Sequence, residues 1–355
     1  MRPLLPEVLP QENGYGEGPK TVTEFLDDVK SGIRQAPMAV KITPYILSLI
    51  DWANPLHDPL LRQFIPLGSR IQPNHPRVTF DSLDETGDSP VKGIIHRYPD
   101  KAVFLGMITR FLLLKQELMG GIASSVCPVY CRNCTRSYTV GADTKELSKT
   151  TRFLPVQKKW EVMFDYIERT PVLEDILVSG GDLYTLSPDQ IQAIGMRLLS
   201  IPHILRVRIA SKGLAICPSR FIDPNDEWGS VIIDLSRRGR KMGKSVALHT
   251  HFNHPLEITW ITRLAAQRLF EEGVTVRNQT VLLNGVNNDV GIMKSLIKQL
   301  SSMNIQPVRF EHSLFFFLLF FSSLLLSISH RDEYVESYAD CNAVLRFPMR
   351  HGAWG

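Results

Sequence analysis

The chain has little of what a secreted, membrane-spanning or nucleic-acid-binding protein needs. Only 5 cysteines occur among 355 residues. An odd cysteine count in a long chain with no secretory signal excludes a disulfide framework. Charge of one sign is also scarce: 40 Lys and Arg stand among 36 Asp and Glu for a net charge of +4. They are interspersed rather than gathered in blocks, so nothing points to nucleic acid. An Arg-rich, acid-poor transit peptide is not expected either, because Glu7, Glu12, Glu17, Glu24, Asp27 and Asp28 come early. The one long apolar run, Leu314 to Leu326, is short against the roughly 20 residues of a membrane span. It is also too uniformly apolar to present one helical face. With 44% hydrophobic residues, a chain of this length can bury one large core and needs one catalytic domain.

What is present is concentrated. Cys127, Cys131 and Cys134 fall in the run Cys-Pro-Val-Tyr-Cys-Arg-Asn-Cys. Thiolates are soft ligands for iron-sulfur clusters or zinc, and three on one loop leave one iron of a four-iron cluster without a protein ligand. A closed zinc site wants a fourth ligand at close spacing and none follows, so the cluster ranks first and zinc second. Cys217 and Cys341 are isolated and read as buried thiols.

From Ala102 onward, short apolar runs alternate with stretches of helical period, the pattern of repeated strand-helix units. Strands are expected near Ala102–Leu105, Asp175–Ser179, Leu205–Ala210, Ser245–Thr250, Val276–Leu283 and Ile305–Phe310. Helices are expected near Val156–Arg169, Pro188–Leu199, Glu257–Glu272 and Gly291–Met303. The fold class is α/β, and six units make a partial (β/α)6 TIM-like barrel with its active site at the C-terminal strand ends. Residues 1–95 form an N-terminal helical or extended arm, with helical pieces at Thr23–Leu26 and Pro44–Ile50. A core of 96–310 and an atypical segment of 311–355 follow.

Ser179-Gly180-Gly181-Asp182 follows an apolar run, so two glycines and a carboxylate stand where a ligand can approach the backbone. An ordinary strand-to-helix turn is the competing reading. His249, His251 and His254 invite a metal, but no further His or carboxylate completes a coordination set nearby. Arg136, two residues past the last cysteine, offers a bidentate fork on the cysteine loop.

Taken together, His96-Arg-Tyr-Pro-Asp100, the cysteine loop through Arg136, Ser179–Asp182, His249-Thr-His-Phe-Asn-His254 and Asn278–Asn287 resemble the lysine 2,3-aminomutase family of radical S-adenosylmethionine enzymes. The resemblance runs from about Lys41 to Pro307. It implies a radical SAM barrel whose Cys127, Cys131 and Cys134 hold a 4Fe-4S cluster. It implies that Ser179, Gly180, Gly181, Asp182, His251 and Gln279 bind S-adenosyl-L-methionine, and that Arg136 holds the carboxylate of an amino-acid substrate. Arg97, Tyr98 and Lys101 would meet the phosphate of pyridoxal 5'-phosphate, which condenses with the substrate amine. The implied reaction moves a 2-amino group to carbon 3 through a 5'-deoxyadenosyl radical. Another radical SAM reaction without pyridoxal phosphate, and a truncated inactive homologue, are the alternatives. An electron donor is an implied partner and a homo-oligomer a further one. An exposed iron corner suits a reducing interior, cytoplasm or mitochondrial matrix.

Two segments depart from the family pattern. Gly106–Ser124 looks inserted between strand and cysteine loop. After Pro307 the apolar run replaces the family's continuation, and with it the lysine that would hold pyridoxal phosphate. Both segments are expected to be foreign sequence from an incorrect gene model.

Overall fold

The computed structural model describes residues 19–71, 81, 83–106, 127–137, 140 and 157–311. Most of the expected insertion and the apolar C-terminal segment, together with Cys341, lie outside the described residues.

One seven-stranded sheet organises the chain, in the order β1 (Ile94–Tyr98), β2 (Lys101–Leu105), β3 (Asp175–Ser179), β4 (Arg206–Ala210), β5 (Ser245–Thr250), β6 (Thr275–Val281) and β7 (Ile305–Glu311). The six strands β2 to β7 run parallel, each beside its predecessor. Helices cross between them: α4 (Gln157–Glu168), α5 (Pro188–Ser200), α6 (Gly213–Ile216), α7 (Trp228–Lys241), α8 (Trp260–Glu271) and α9 (Val290–Ser302). This is the partial barrel expected from the sequence. Strands covered on both faces need no polar alternation, and β3 is buried at four of its five positions.

The addition is β1, which pairs antiparallel with β2 through a tight turn at Pro99 and Asp100. It spans position 95/96, where an arm and a core were expected to divide. The arm itself carries α1 (Val22–Gln35), α2 (Pro44–Leu49) and α3 (Pro59–Phe64). Their starts follow from local chemistry. Thr21 and Glu24 form a reciprocal capping box on α1, while Thr43 and Asp58 cap α2 and α3 ahead of a proline in the first turn.

The arm is not a separate body. Phe25, Ile46, Leu60, Leu61 and Phe64 are at most 1% exposed and belong to the same hydrophobic cluster as Phe104, Ile176, Trp228 and Leu248 of the barrel. Polar ties reinforce the packing. Thr43 donates to the Ile216 carbonyl at 2.6 Å, the Tyr45 hydroxyl meets Thr259 at 2.7 Å, and Arg62 donates to the Gly285 carbonyl at 2.8 Å. All these partners lie in connections after β4, β5 and β6, so the arm straps across one end of the barrel. That end is where the strands finish. No helix among the described residues is long and apolar enough to cross a membrane.

Candidate functional site

The cysteine loop is held at this end by the arm. Tyr130 N–H donates to the Lys41 carbonyl at 2.7 Å, and Arg132 N–H to the Gln63 carbonyl at 3.0 Å. Cys131 packs against the main core, whereas Cys127 and Cys134 pack against Ala36, Met38, Tyr130 and Val140. All three are half-buried and outside any disulfide. Burial pushes the Cys131 thiol up to about 12, with nearby Lys212 opposing the shift and Cys134 adding to it. Cys127 is raised well above the usual thiol range by burial, then by Asp182 and the other two thiols.

Among the described residues no three His, Cys, Asp or Glu side chains gather tightly enough to hold one metal ion. A multi-iron cluster takes one thiolate per iron, so its ligands stand further apart than those around a single ion. Three half-buried thiols on one loop, each within electrostatic reach of another, fit a cluster better than zinc.

The end of β3 faces this loop. The Asp182 backbone N–H is directed at the Cys127 sulfur. Gly180 has φ +145°, a conformation that a side chain would strain. The Asp182 carboxylate accepts from the N–H groups of Tyr184 at 2.9 Å and Lys212 at 3.0 Å. Burial nonetheless raises its affinity for a proton. Arg136 reaches the same strand end, donating from Nη1 to the Ser179 hydroxyl at 2.9 Å. Its Nε and Nη2 bind both oxygens of Glu85 at 2.9 and 2.7 Å. Cysteine loop, Ser179–Asp182 and Arg136 are thus brought together.

The three histidines do not converge. His249 lies on β5 with its Nε2 buried and, among the described residues, without a hydrogen-bond partner. His254 accepts the Leu256 N–H on Nδ1 and caps a short turn. His251 meets Asn253 Oδ1 at 3.0 Å through Nε2, which places the proton on that nitrogen. Burial drives its pKa down to about 3, so it is a neutral imidazole. Thr250 pairs with Asn278 across β5 and β6, which puts His251 and Gln279 at one level of adjacent strands. The buried Asn278 amide fixes this corner by bonding both N–H and carbonyl of Phe252 at 2.7 and 3.1 Å.

Arg97, Tyr98 and Lys101 are not brought to this corner. Lys101 opens β2 and pairs with Tyr98, so they stand at the N-terminal edge of the sheet. Arg97 binds Asp88 at 2.6 Å and Lys101 binds Asp100 at 2.6 Å. They stand at the end of the sheet opposite Ser179–Asp182.

Two groups escaped the sequence reading. Lys212, just past β4, is buried with its ammonium 2.9 Å from Glu257 Oε1, 2.5 Å from the His251 carbonyl and 5.3 Å from the Phe64 ring centre. Glu257 is fully buried and also accepts the N–H groups of Asn253 and His254. The pair links β4, β5 and the arm beside Cys131. The Ser211-Lys212-Gly213 step at the end of an expected strand was the available signal.

No family model matches the chain. Among curated proteins it is 34% identical over 275 residues to an L-lysine 2,3-aminomutase of Acetoanaerobium sticklandii, covering 76% of this chain and 56% of that one. A glutamate 2,3-aminomutase of Clostridioides difficile is 31% identical, with coverage of 81% and 58%. A putative L-lysine 2,3-aminomutase of Aquifex aeolicus is 32% identical over 300 residues, with 82% of this chain covering 70% of the relative. The chain spans little more than half the length of the first two relatives. Its strand order, its cysteine loop docked on Ser179–Asp182 and these similarities agree: the chain belongs to the lysine 2,3-aminomutase family.

Proposed function

We propose that this chain is an isomerase that moves the 2-amino group of an α-amino acid to carbon 3 by radical chemistry, with S-adenosyl-L-methionine as the radical source. The observation that carries this reading is the docking of the cysteine loop on the end of β3, with the Asp182 N–H at the Cys127 sulfur and Arg136 on Ser179. Cys127, Cys131 and Cys134 would hold a 4Fe-4S cluster. Bound there, a cluster supplies the electron that cleaves the sulfonium of S-adenosylmethionine to a carbon radical able to take hydrogen from a substrate.

The remaining contributions belong to the chain. Asp182 presents a carboxylate at the strand end, suited to the methionyl ammonium. Neutral His251, backed by Asn253, offers its second ring nitrogen to a polar group, with Gln279 beside it on the next strand. Arg136 supplies a guanidinium for an amino-acid carboxylate. The arm packed across the mouth excludes water from reactive carbon centres. Lysine and glutamate name the relatives' activities, and both are α-amino acids that Arg136 suits. Three unpaired thiols on one loop favour a reducing compartment, and the reductive cleavage calls for an external one-electron donor.

The test is anaerobic reconstitution with iron and sulfide, followed by incubation with dithionite, S-adenosylmethionine, pyridoxal phosphate and pooled amino acids. The expected products are 5'-deoxyadenosine and a β-amino acid, read by mass spectrometry. Formation of 5'-deoxyadenosine without any β-amino acid would refute the aminomutase reading and leave the cluster reading standing.

A further inference from the structure

We propose that Glu85 is an internal carboxylate that occupies the Arg136 fork until the carboxylate of an α-amino acid replaces it. The inference rests on Arg136 being the substrate-carboxylate site of the proposed function. The contact is side-on and bidentate, Nε to Oε2 at 2.9 Å and Nη2 to Oε1 at 2.7 Å. That is the geometry with which a guanidinium binds any free carboxylate. Nη1 is fixed on Ser179, so the guanidinium is held against the end of β3. Both side chains are largely withdrawn from water, 17% exposed for Arg136 and 11% for Glu85.

An entering amino acid therefore meets a filled site. Placing a second carboxylate beside the first would crowd two like charges around one guanidinium in a half-buried pocket. Exchanging one for the other keeps the charge balance unchanged.

The location of Glu85 suits exchange. It rides on a tight turn in which the Asp81 carboxylate accepts the N–H groups of Glu85 and Thr86 and the Thr86 hydroxyl. Asp84, immediately before it, has φ +52°. The turn is held by its own bonds as well as by Arg136, so departure of Glu85 from Arg136 loosens the turn without unfolding it. The same stretch delivers Asp88 to Arg97. One acidic turn thus neutralises two of the arginines that the family resemblance assigns to anionic ligands.

The experiment measures anaerobic binding to the full, iron-reconstituted chain by titration calorimetry. The probes are L-lysine and L-glutamate, each against its α-amide, lysinamide and isoglutamine, with wild type, Glu85→Gln, Glu85→Ala and Arg136→Met. Removing the internal competitor should tighten binding of the better-bound free acid by about tenfold or more, since apparent affinity scales with the fraction of open sites. The amides should be unaffected. A second readout needs no variant: saturation of wild type with that acid should speed amide hydrogen exchange at Glu85 to Asp88.

Looser binding in Glu85→Gln, or slower exchange in the turn, would show that Glu85 positions the arginine and would overturn the proposal. Unchanged binding in both Glu85 variants, with Arg136→Met weakened, would overturn it while leaving the Arg136 site intact. Wild-type affinity in Arg136→Met, or no binding by any protein, would remove the amino-acid site and the proposal with it.

Discussion

Glutamine in place of Glu257 tests whether the Lys212–Glu257 pair holds the mouth of the barrel together. Glu257 is 0% exposed and receives three donors: the N–H groups of Asn253 and His254 on Oε2 at 2.5 and 3.0 Å, and the Lys212 ammonium on Oε1 at 2.9 Å. A glutamine has one oxygen, so its NH2 group must face either the ammonium or the two backbone donors. The cheaper arrangement keeps the oxygen on the backbone. It forfeits a charged hydrogen bond of about 1.5–3 kcal/mol and leaves Lys212 with the His251 carbonyl as its anchor. Loss of one partner of a buried ion pair costs about 3–5 kcal/mol. In a chain of this size that lowers the melting temperature by roughly 4–7 °C. The assay is urea unfolding followed by tryptophan fluorescence, with thermal scanning beside it. The decisive comparison is Lys212→Met/Glu257→Gln, which removes the stranded cation and should be more stable than Glu257→Gln alone. If the double variant is the less stable of the two, the argument from an uncompensated charge is wrong.

Two further outcomes follow from other parts of the molecule. His249 and His251 are driven down to about 4 and about 3, chiefly by burial, with Arg208 and Arg277 adding at His249 and Lys212 at His251. The unfolded chain protonates them near 6.5 while the folded chain does not. Stability should therefore fall as pH drops from about 6 to 4, by about 1.4 kcal/mol per pH unit for each histidine. In urea titrations across that range His249→Leu should show a shallower slope than wild type, with His251 and His254 still contributing, and superimposable slopes would contradict the assignment. At Gly32 of α1, a Cβ would stand 2.6 Å from the Pro66 carbonyl carbon, a backbone atom that cannot rotate aside. Gly32→Ala should cost about 1–3 kcal/mol and expose α1 to limited proteolysis; an unchanged digestion pattern would mean that α1 is not seated there.

β3 and β5 were legible because their centres are continuous apolar runs, Ile176–Val178 and Val246–Leu248. Asp175–Ser179 and Ser245–Thr250 emerge with the bounds expected. β1 was missed because Ile94-Ile-His-Arg-Tyr98 has only two leading apolar residues, and its place in the sheet depends on the turn at Pro99 and Asp100. α7 was missed for a related reason: it opens at Glu227 with no side-chain cap, and Gly229 and Gly239 weaken its helical signal. In the site, the cysteines and Ser179–Asp182 were legible because each is a contiguous string. The groups that escaped are made across distance. Lys212 meets Glu257 over 45 positions, and Glu85 meets Arg136 over 51. No local pattern encodes such partners, and a charged residue that ends up buried looks in the sequence like one on the surface.

The arm that straps the mouth of the barrel also sets a timetable for synthesis. Arg62 finds its carbonyl at Gly285, 223 positions later in the chain. At about 5–20 residues per second a ribosome needs roughly 10–45 s to cover that interval. During it, Phe25, Ile46, Leu60, Leu61 and Phe64, which finish at most 1% exposed, have no barrel to enter. Part of the seat of the cysteine loop, at Lys41 and Gln63, belongs to the same waiting segment. Translation rate and holding chaperones therefore bear on the yield of this protein more than on that of one whose segments are buried in the order in which they are made.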